Sequence, residues 1–401
     1  MAAASADSSV VALALPQLYG DFKTTIVGVS WVLTSYNAAV AVTAIALVAV
    51  RRARSYPVGV ALFLLASAGC AAAPNLAVLI TARCVQGVGA ALLLAASSRL
   101  IGVRAWSGAA AAGVAAGPAV GGVLTQAFDW RAIFVLQVPV AALGFLAARA
   151  PGTGPEDRRP APLTELAIAL LFGALVGALF LAVLLLVAGW RYSPIHGTVV
   201  VSALPLAALL ARRRHAAAGA ALLALGLVAL AALPSANVLF LLCALALCGV
   251  GLGLALPVLS ERALAGGAVL TVAARHVGLV ASLALVAPIL AGDLPPAGRH
   301  AELQATKLIL DSPVGLTTKV PVALDLGGAF RRAKTGEIPD LRAPFDARGA
   351  GHDPELARTR DELSGAVDRT IAGAFRASFA LCAAFAAAAA LITRKKAEAR
   401  A

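Results

Sequence analysis

Residues 76–98 read LAVLITARCVQGVGAALLLAASS, a stretch in which Arg83 is the only charged side chain and which Arg99 follows directly. A helix needs about 20 mainly apolar residues to cross a bilayer core of roughly 30 Å, so this stretch predicts a membrane-spanning helix. It belongs to a set of apolar runs that fills most of the chain. The runs lie near 2–18, 31–50, 56–73, 76–98, 106–126, 132–148, 163–189, 195–211, 216–233, 236–257, 269–291 and 373–392.

Positive charge alternates between the gaps that separate these runs. The short connections of one set contain only Lys23, Arg131 and Arg191. The other set holds 16 basic residues, namely Arg51, Arg52, Arg54, Arg99, Arg104, Arg149, Arg158, Arg159, Arg212, Arg213, Arg214, Arg262, Arg394, Lys395, Lys396 and Arg400. Basic loops remain in the cytoplasm, so we expect a multi-pass protein of the cell membrane with both termini cytoplasmic.

Composition agrees with a membrane protein and argues against other classes. Charged residues make up 13% of the chain, against about 25% in soluble domains. The net charge of +13 comes mostly from the loop arginines, so we expect no nucleic-acid partner. No phosphate-binding GxxxxGK[ST] loop occurs, and no cluster of His, Cys and acidic residues lies within the runs, which predicts neither an enzyme nor a metal or cofactor site.

Three features recur along the chain at nearly one spacing, which indicates an internal duplication. Arg51-Arg52 recurs as Arg212-Arg213 at an offset of 161, and Pro74 recurs as Pro234 at 160. Gly87-Val88-Gly89 recurs as Gly249-Val250-Gly251 at 162. We therefore predict an all-α polytopic membrane protein of two six-helix bundles with about 12 transmembrane helices. Such duplication is typical of transporters, and the alternative is a bundle duplicated for assembly alone.

The predicted segments follow from this count of runs. They are an N-terminal six-helix bundle at 1–149, a cytoplasmic linker at 150–162, the first five helices of the C-terminal bundle at 163–291, an extracytoplasmic insertion at 292–372, the last transmembrane helix at 373–392 and a cytoplasmic tail at 393–401. Helical apolar spacing over 303–310, 320–330 and 356–375 favours a small folded cap for the insertion over a flexible loop.

Charged and titratable side chains within the runs are the candidates for function. A charge inside a span costs roughly 2.5–3.5 kcal/mol, so its default interpretation is a functional group that faces a cavity or a partner. Four residues stand out, namely Asp7, Arg83, Arg275 and His276, and Gln86 shares a helix face with Arg83. We expect Arg83 to line the central cavity and to pair with Asp7. The alternatives are a structural ion pair for Arg83 and an interfacial position for Arg275.

The run at 106–126 contains a ladder of small residues. Gly113, Gly117 and Gly121 follow each other at intervals of four and form one smooth helix face, on which another helix can pack closely. Pro118 removes a backbone donor within this ladder, and Gly122 extends it. The pattern predicts a close helix–helix contact.

These stretches resemble the motifs of the major facilitator superfamily, and most of all its fourteen-helix drug:proton antiporter branch. Residues 83–90 are similar to the fourth-helix motif, whose Arg is associated with proton coupling, and 113–122 to the fifth-helix antiporter motif. Weaker similarities cover the first, second and sixth helices at 7–16, 31–36 and 129–139. The loop at 51–56 departs from the family pattern, because it carries no acid and no glycine.

The resemblance implies a secondary active transporter that exports small molecules by alternating access and is coupled to protons. Its partners are then a small-molecule substrate, protons and the lipid bilayer. The intramembrane cations outnumber Asp7, which favours a neutral or anionic substrate. The alternative is a non-transporting membrane scaffold or sensor, or a decayed transporter copy, that acts through 292–372.

Overall fold

The computed structural model shows a helical protein. It describes residues 2–50, 56–100, 103–147, 161–211, 215–234, 236–265, 267–332, 341–350 and 352–398, and none of these described residues lies in a β-strand. The helices of the first half are α1 (Ala2–Ala12), α2 (Leu15–Asp21), α3 (Ile26–Val50), α4 (Tyr56–Ala71), α5 (Leu76–Leu100), α6 (Val103–Ala127) and α7 (Arg131–Ala147). Those of the second half are α8 (Pro162–Val183), which continues as a π-helical segment (Leu184–Gly189), α9 (Pro194–Val201), α10 (Ala203–Leu210), α11 (Ala216–Ala231), α12 (Val238–Leu264), α13 (Ala268–Asp311), α14 (Leu316–Arg332), α15 (Ala343–Asp346), α16 (Pro354–Ala374) and α17 (Arg376–Glu398).

Each of the twelve apolar runs corresponds to helix in the structure. Seven helices within the described ranges are long and apolar enough to cross a membrane, and four shorter apolar helices lie between them. The first run is divided into α1 and α2, and the run at 195–211 into α9 and α10. Together these helices confirm the all-α polytopic fold.

The duplicated Gly-Val-Gly motif packs in the same way in both halves. In the first half Gly87 faces the backbone of α3 and Gly89 faces that of α4. In the second half Gly249 faces α10 and Gly251 faces α11. A Cβ atom at any of these four positions would come within 3.0 Å of the neighbouring backbone, so glycine is required for the close approach. The two halves are therefore built on the same helix contacts.

Several helix pairs join the halves, two of them most extensively. Helix α3 packs against α13, and α6 packs against α9. Large apolar side chains such as Val42, Leu65 and Leu209 point outward and are exposed, as expected for positions that face lipid.

The insertion differs from its prediction at its beginning. The stretch 303–310 is not a separate helix, because α13 continues without a break from the apolar run at 269–291 to Asp311. Three internal prolines, Pro288, Pro295 and Pro296, do not end this helix. Packing explains the continuity, since α13 lies along α16 and buries small residues such as Ala301 and Ala305.

The rest of the insertion folds around its own contacts. Helices α14 and α16 cover the two other predicted segments, and α17 begins directly after Phe375. Arg348 pairs with Asp325 at 2.6 Å, and Arg360 pairs with Asp346 at 2.9 Å. Predictions for the loop at 51–55, for residues 150–160 of the linker, for 212–214 and for the end of the tail at 399–401 lie outside the described residues.

Candidate functional site

The two charges of the first half meet in one ion pair. Helix α1 carries Asp7 and α5 carries Arg83, and neither side chain has any exposed surface. The guanidinium donates from Nη1 to Oδ1 at 2.8 Å and from Nη2 to Oδ2 at 2.6 Å. This two-bond arrangement is the strong geometry for an arginine and a carboxylate.

Two further donors of Arg83 are also satisfied. Its Nε donates to the carbonyl of Val32 at 2.9 Å, and its Nη1 donates to Oε1 of Gln86 at 2.7 Å. The Tyr36 ring lies under the guanidinium, with 4.3 Å between Cζ and the ring centroid, and Phe134 lies at 5.7 Å. These contacts together replace the water that a charged guanidinium loses on burial.

Two glutamines close the network around the ion pair. Gln86 donates to Oε1 of Gln137 at 2.6 Å and to the Ser67 hydroxyl at 2.8 Å. Gln137 in turn donates to Oδ1 of Asp7 at 3.0 Å. The network therefore joins α1, α4, α5 and α7. Gln137 was seen in the sequence only as part of a motif, although an amide inside an apolar run is a usable signal.

The glycine ladder of α6 positions the helix that carries Asp7. Gly113, Gly117 and Gly121 face α1 at Ala2, Ser9 and Val10 respectively, so closely that a Cβ atom would overlap α1.

The opposite contact of α6 crosses to the second half. A Cβ atom at Gly122 would overlap Thr198 of α9, and the Thr198 hydroxyl donates to the Pro118 carbonyl at 3.2 Å. Helix α6 therefore touches both the helix of Asp7 and the other bundle.

The two candidate residues of α13, Arg275 and His276, make contacts with different helices. Arg275 reaches α1, where Nη2 donates to the Ser5 carbonyl at 3.3 Å, and its Cζ lies 4.4 Å from the centroid of the Phe172 ring. His276 is buried, and its Nδ1 lies 2.7 Å from the carbonyl of Val272 in its own helix. The structure brings Arg275, but not the His276 ring, to the helix of Asp7.

A second buried carboxylate was missed by the sequence reasoning. Glu165 lies in the first turn of α8 and is only 5% exposed. Its Oε1 accepts a hydrogen bond from Thr271 at 3.3 Å, and its Oε2 is buried without a partner. The described spans therefore contain a second acid besides Asp7, which reduces the surplus of positive charge.

The sequence has relatives among proteins named for drug resistance and efflux. It is 35% identical over 153 residues to the multidrug resistance protein Stp of Mycobacterium tuberculosis, which covers 34% of this chain and 28% of that protein. It is 32% identical over 233 residues to the methylenomycin A resistance protein of Streptomyces coelicolor, which covers 53% of this chain and 48% of that protein. The chain thus spans less than half of the length of these relatives.

Solved structures share the fold at low sequence identity. A bacterial homologue of the human lysosomal transporter Spinster, in an inward-facing and occupied conformation, superposes with a TM-score of 0.57 and 17% identity, covering 99% of this chain and 94% of that one. A D-xylose-proton symporter gives a TM-score of 0.56 and 15% identity, covering 71% and 87%. The sequence model of the Major Facilitator Superfamily matches residues 1–287, well over half of the chain. The protein belongs to the major facilitator superfamily.

Proposed function

We propose that the protein is a secondary active transporter that exports small molecules in exchange for protons by alternating access. The buried ion pair of Asp7 and Arg83 carries this proposal. Removing two charges from water is costly, and a neutral apolar pair of similar volume packs at least as well, so stability alone does not require the pair. A carboxylate inside the membrane can accept a proton, so we infer that the ion pair serves proton coupling.

Protonation of Asp7 provides the coupling step. A proton on the Asp7 carboxyl group removes its negative charge, which weakens both hydrogen bonds that Arg83 donates to it. Arg83 keeps its bonds to Val32 and Gln86. The attachment of α1 to α5 is then weakened. Because α1 lies on the glycine face of α6, and α6 also contacts α9, a displacement of α1 reaches the second bundle.

The names of the relatives support small molecules as the cargo. Proteins that are named for multidrug resistance, methylenomycin A resistance and multidrug efflux are about one third identical to this chain over the matched part. The superfamily consists of transporters rather than enzymes, and the proposed partners are accordingly a small molecule, protons and lipid.

Transport into everted membrane vesicles tests the proposal. We expect at least one compound among 2-naphthoate, 2-naphthamide and 2-naphthylmethylammonium to accumulate when the vesicle interior is acidic, and to be released when a protonophore collapses the gradient. Asp7→Asn removes the proton-accepting group and is expected to abolish the gradient-driven component. Accumulation that is unchanged by the protonophore, or that persists in the Asp7→Asn variant, would contradict proton coupling through Asp7.

The proposed topology places both termini in the cytoplasm of a cell whose plasma membrane holds the protein. Two exposed histidines allow a matched test in a variant without the five native cysteines, with His215→Cys between α10 and α11 and His352→Cys in the insertion. A membrane-impermeant maleimide is expected to label His352→Cys in intact cells, and His215→Cys only after permeabilisation. The reverse pattern would show that the orientation is inverted.

The alternative function, a scaffold or sensor that acts through the insertion, is favoured by the folded state of that segment. Val322, Phe345 and Leu363 are buried within it, in an apolar cluster that continues into the bundle. A sensor would keep its cellular function when Arg83 is neutralised, whereas a transporter would lose it. Proton-dependent transport in vesicles separates the two.

A further inference from the structure

Two buried polar atoms without partners lie where the halves meet at Arg275. The Nε of Arg275 is buried and has no hydrogen-bond partner. Ser5, which is 4% exposed, has a hydroxyl that is also buried and unpartnered. The two residues touch, because Nη2 of Arg275 donates to the Ser5 carbonyl at 3.3 Å. Buried polar groups are nearly always paired, so two unpaired atoms in one place indicate an absent hydrogen-bonding group.

The charge at this place is also uncompensated. Of the described acidic residues, none forms an ion pair with Arg275. Asp7 lies two residues beyond Ser5 on α1, but its oxygens accept from Arg83 and Gln137. Glu165 accepts from Thr271, one turn before Arg275 on α13. Arg275 therefore presents a positive charge that neither neighbouring carboxylate neutralises.

An aromatic side chain lies next to that charge. The guanidinium stacks on the Phe172 ring of α8 at 4.4 Å. Ser5, Phe172 and Arg275 come from α1, α8 and α13, and hence from both halves of the chain. Arg275 is partly exposed as a residue, whereas Arg83 has no exposed surface.

We propose that Arg275 and Ser5 bind the carboxylate or another oxyanion of an apolar organic acid, whose hydrocarbon part lies against Phe172. The free Nε–H and the free hydroxyl both supply donors, and a guanidinium binds a planar carboxylate through two parallel bonds. This inference rests on the proposed transport of small molecules and gives that transport a substrate class.

Binding to the purified full-length protein in lipid nanodiscs tests the proposal. The probes are 2-naphthoate, 2-naphthamide and 2-naphthylmethylammonium, which share one ring system and differ in charge. We expect the wild type to bind naphthoate at least 10-fold more tightly than naphthamide. Arg275→Gln is expected to weaken naphthoate binding at least 10-fold and naphthamide binding less than 2-fold.

Further variants separate charge from packing. Arg275→Lys keeps the charge without the planar fork and is expected to lose about 3-fold to 10-fold in naphthoate binding. Ser5→Ala is expected to lose a few-fold. Ser282→Ala is the matched control, because Ser282 is a fully buried serine of α13 that lies two turns away from Arg275. Its naphthoate binding should equal that of the wild type.

Three results would overturn the proposal. They are a wild type that binds naphthoate no better than naphthamide, an Arg275→Gln variant that loses both ligands equally, and an effect of Ser282→Ala as large as that of Ser5→Ala. Failure of the transport function is distinguishable from these results. Selective naphthoate binding in nanodiscs without gradient-driven uptake in vesicles would contradict the transport function and support the binding site. Uptake that does not depend on Arg275 would contradict the binding site and support the transport function.

Discussion

Arg83→Ala is expected to abolish proton-driven transport and to lower the free energy of unfolding by about 3–5 kcal/mol, because it leaves the buried carboxylate of Asp7 without its counter-ion. The Arg83 side chain is fully buried and fills the space between Asp7, Gln86 and the Tyr36 ring. Uptake into everted vesicles measures the first effect, and denaturant unfolding in detergent measures the second.

A double variant separates coupling from stability. Asp7→Asn together with Arg83→Met removes both charges and keeps side chains of similar size. We expect it to regain most of the stability that Arg83→Ala loses, since neutral replacement of a buried ion pair is often close to neutral. It should remain without proton-driven transport. Arg83→Lys keeps a charge but cannot form the two-bond fork, and is expected to be partly active.

The outcomes distinguish the two interpretations of the ion pair. If Arg83→Ala transports at the wild-type rate with unchanged pH dependence, the pair is structural and coupling lies elsewhere. If only Asp7→Asn behaves in that way, Asp7 has no part in coupling, and Arg83 is left as a substrate contact.

Gly121→Leu in α6 is expected to destabilise the first half strongly and to stop transport. A side chain at this position would overlap the backbone of Val10, which cannot move aside as a flexible side chain can. Overpacking of this kind typically costs about 1–3 kcal/mol or more. It would also push α1, and Asp7 with it, away from α5. Thermal unfolding and vesicle uptake measure the two effects.

The same helix supplies a control for this prediction. Gly108 of α6 has nothing within 4 Å of its Cβ position, so Gly108→Ala should be tolerated and should stabilise the helix slightly. Gly121→Ala is the matched substitution at the contact and should be destabilising. Equal stability of these two alanine variants would mean that the α1–α6 contact is loose and that its glycines are not required.

Much of the fold was predictable because a bilayer fixes the length and the polarity of each span. The apolar runs therefore mark the helices, and the recurring Gly-Val-Gly motif marks equivalent contacts in the two halves. Helix ends were less predictable. Packing against α16 carries α13 far beyond its apolar run, and nothing in the local pattern at 292–303 indicates this.

The candidate site was partly predictable for a similar reason. Asp7 and Arg83 are rare charges inside apolar runs, and each is the natural partner of the other. Gln137 and Ser67 could not be assigned to them, because their contacts depend on how α7 and α4 are rotated in the bundle. Glu165 was missed because its position in the first turn of α8 suggests exposure, and only the packing of α8 on α13 buries it.

The unbroken course of α13 has a mechanical consequence. About 20 of its residues extend beyond the apolar run, a length of about 30 Å, and α16 packs beside them. For a straight stretch of this length, a tilt of α13 by about 10° would displace the far end by about 5 Å. A spectroscopic label at that end is therefore expected to record a tilt of α13 with a larger signal than a label near Ala268.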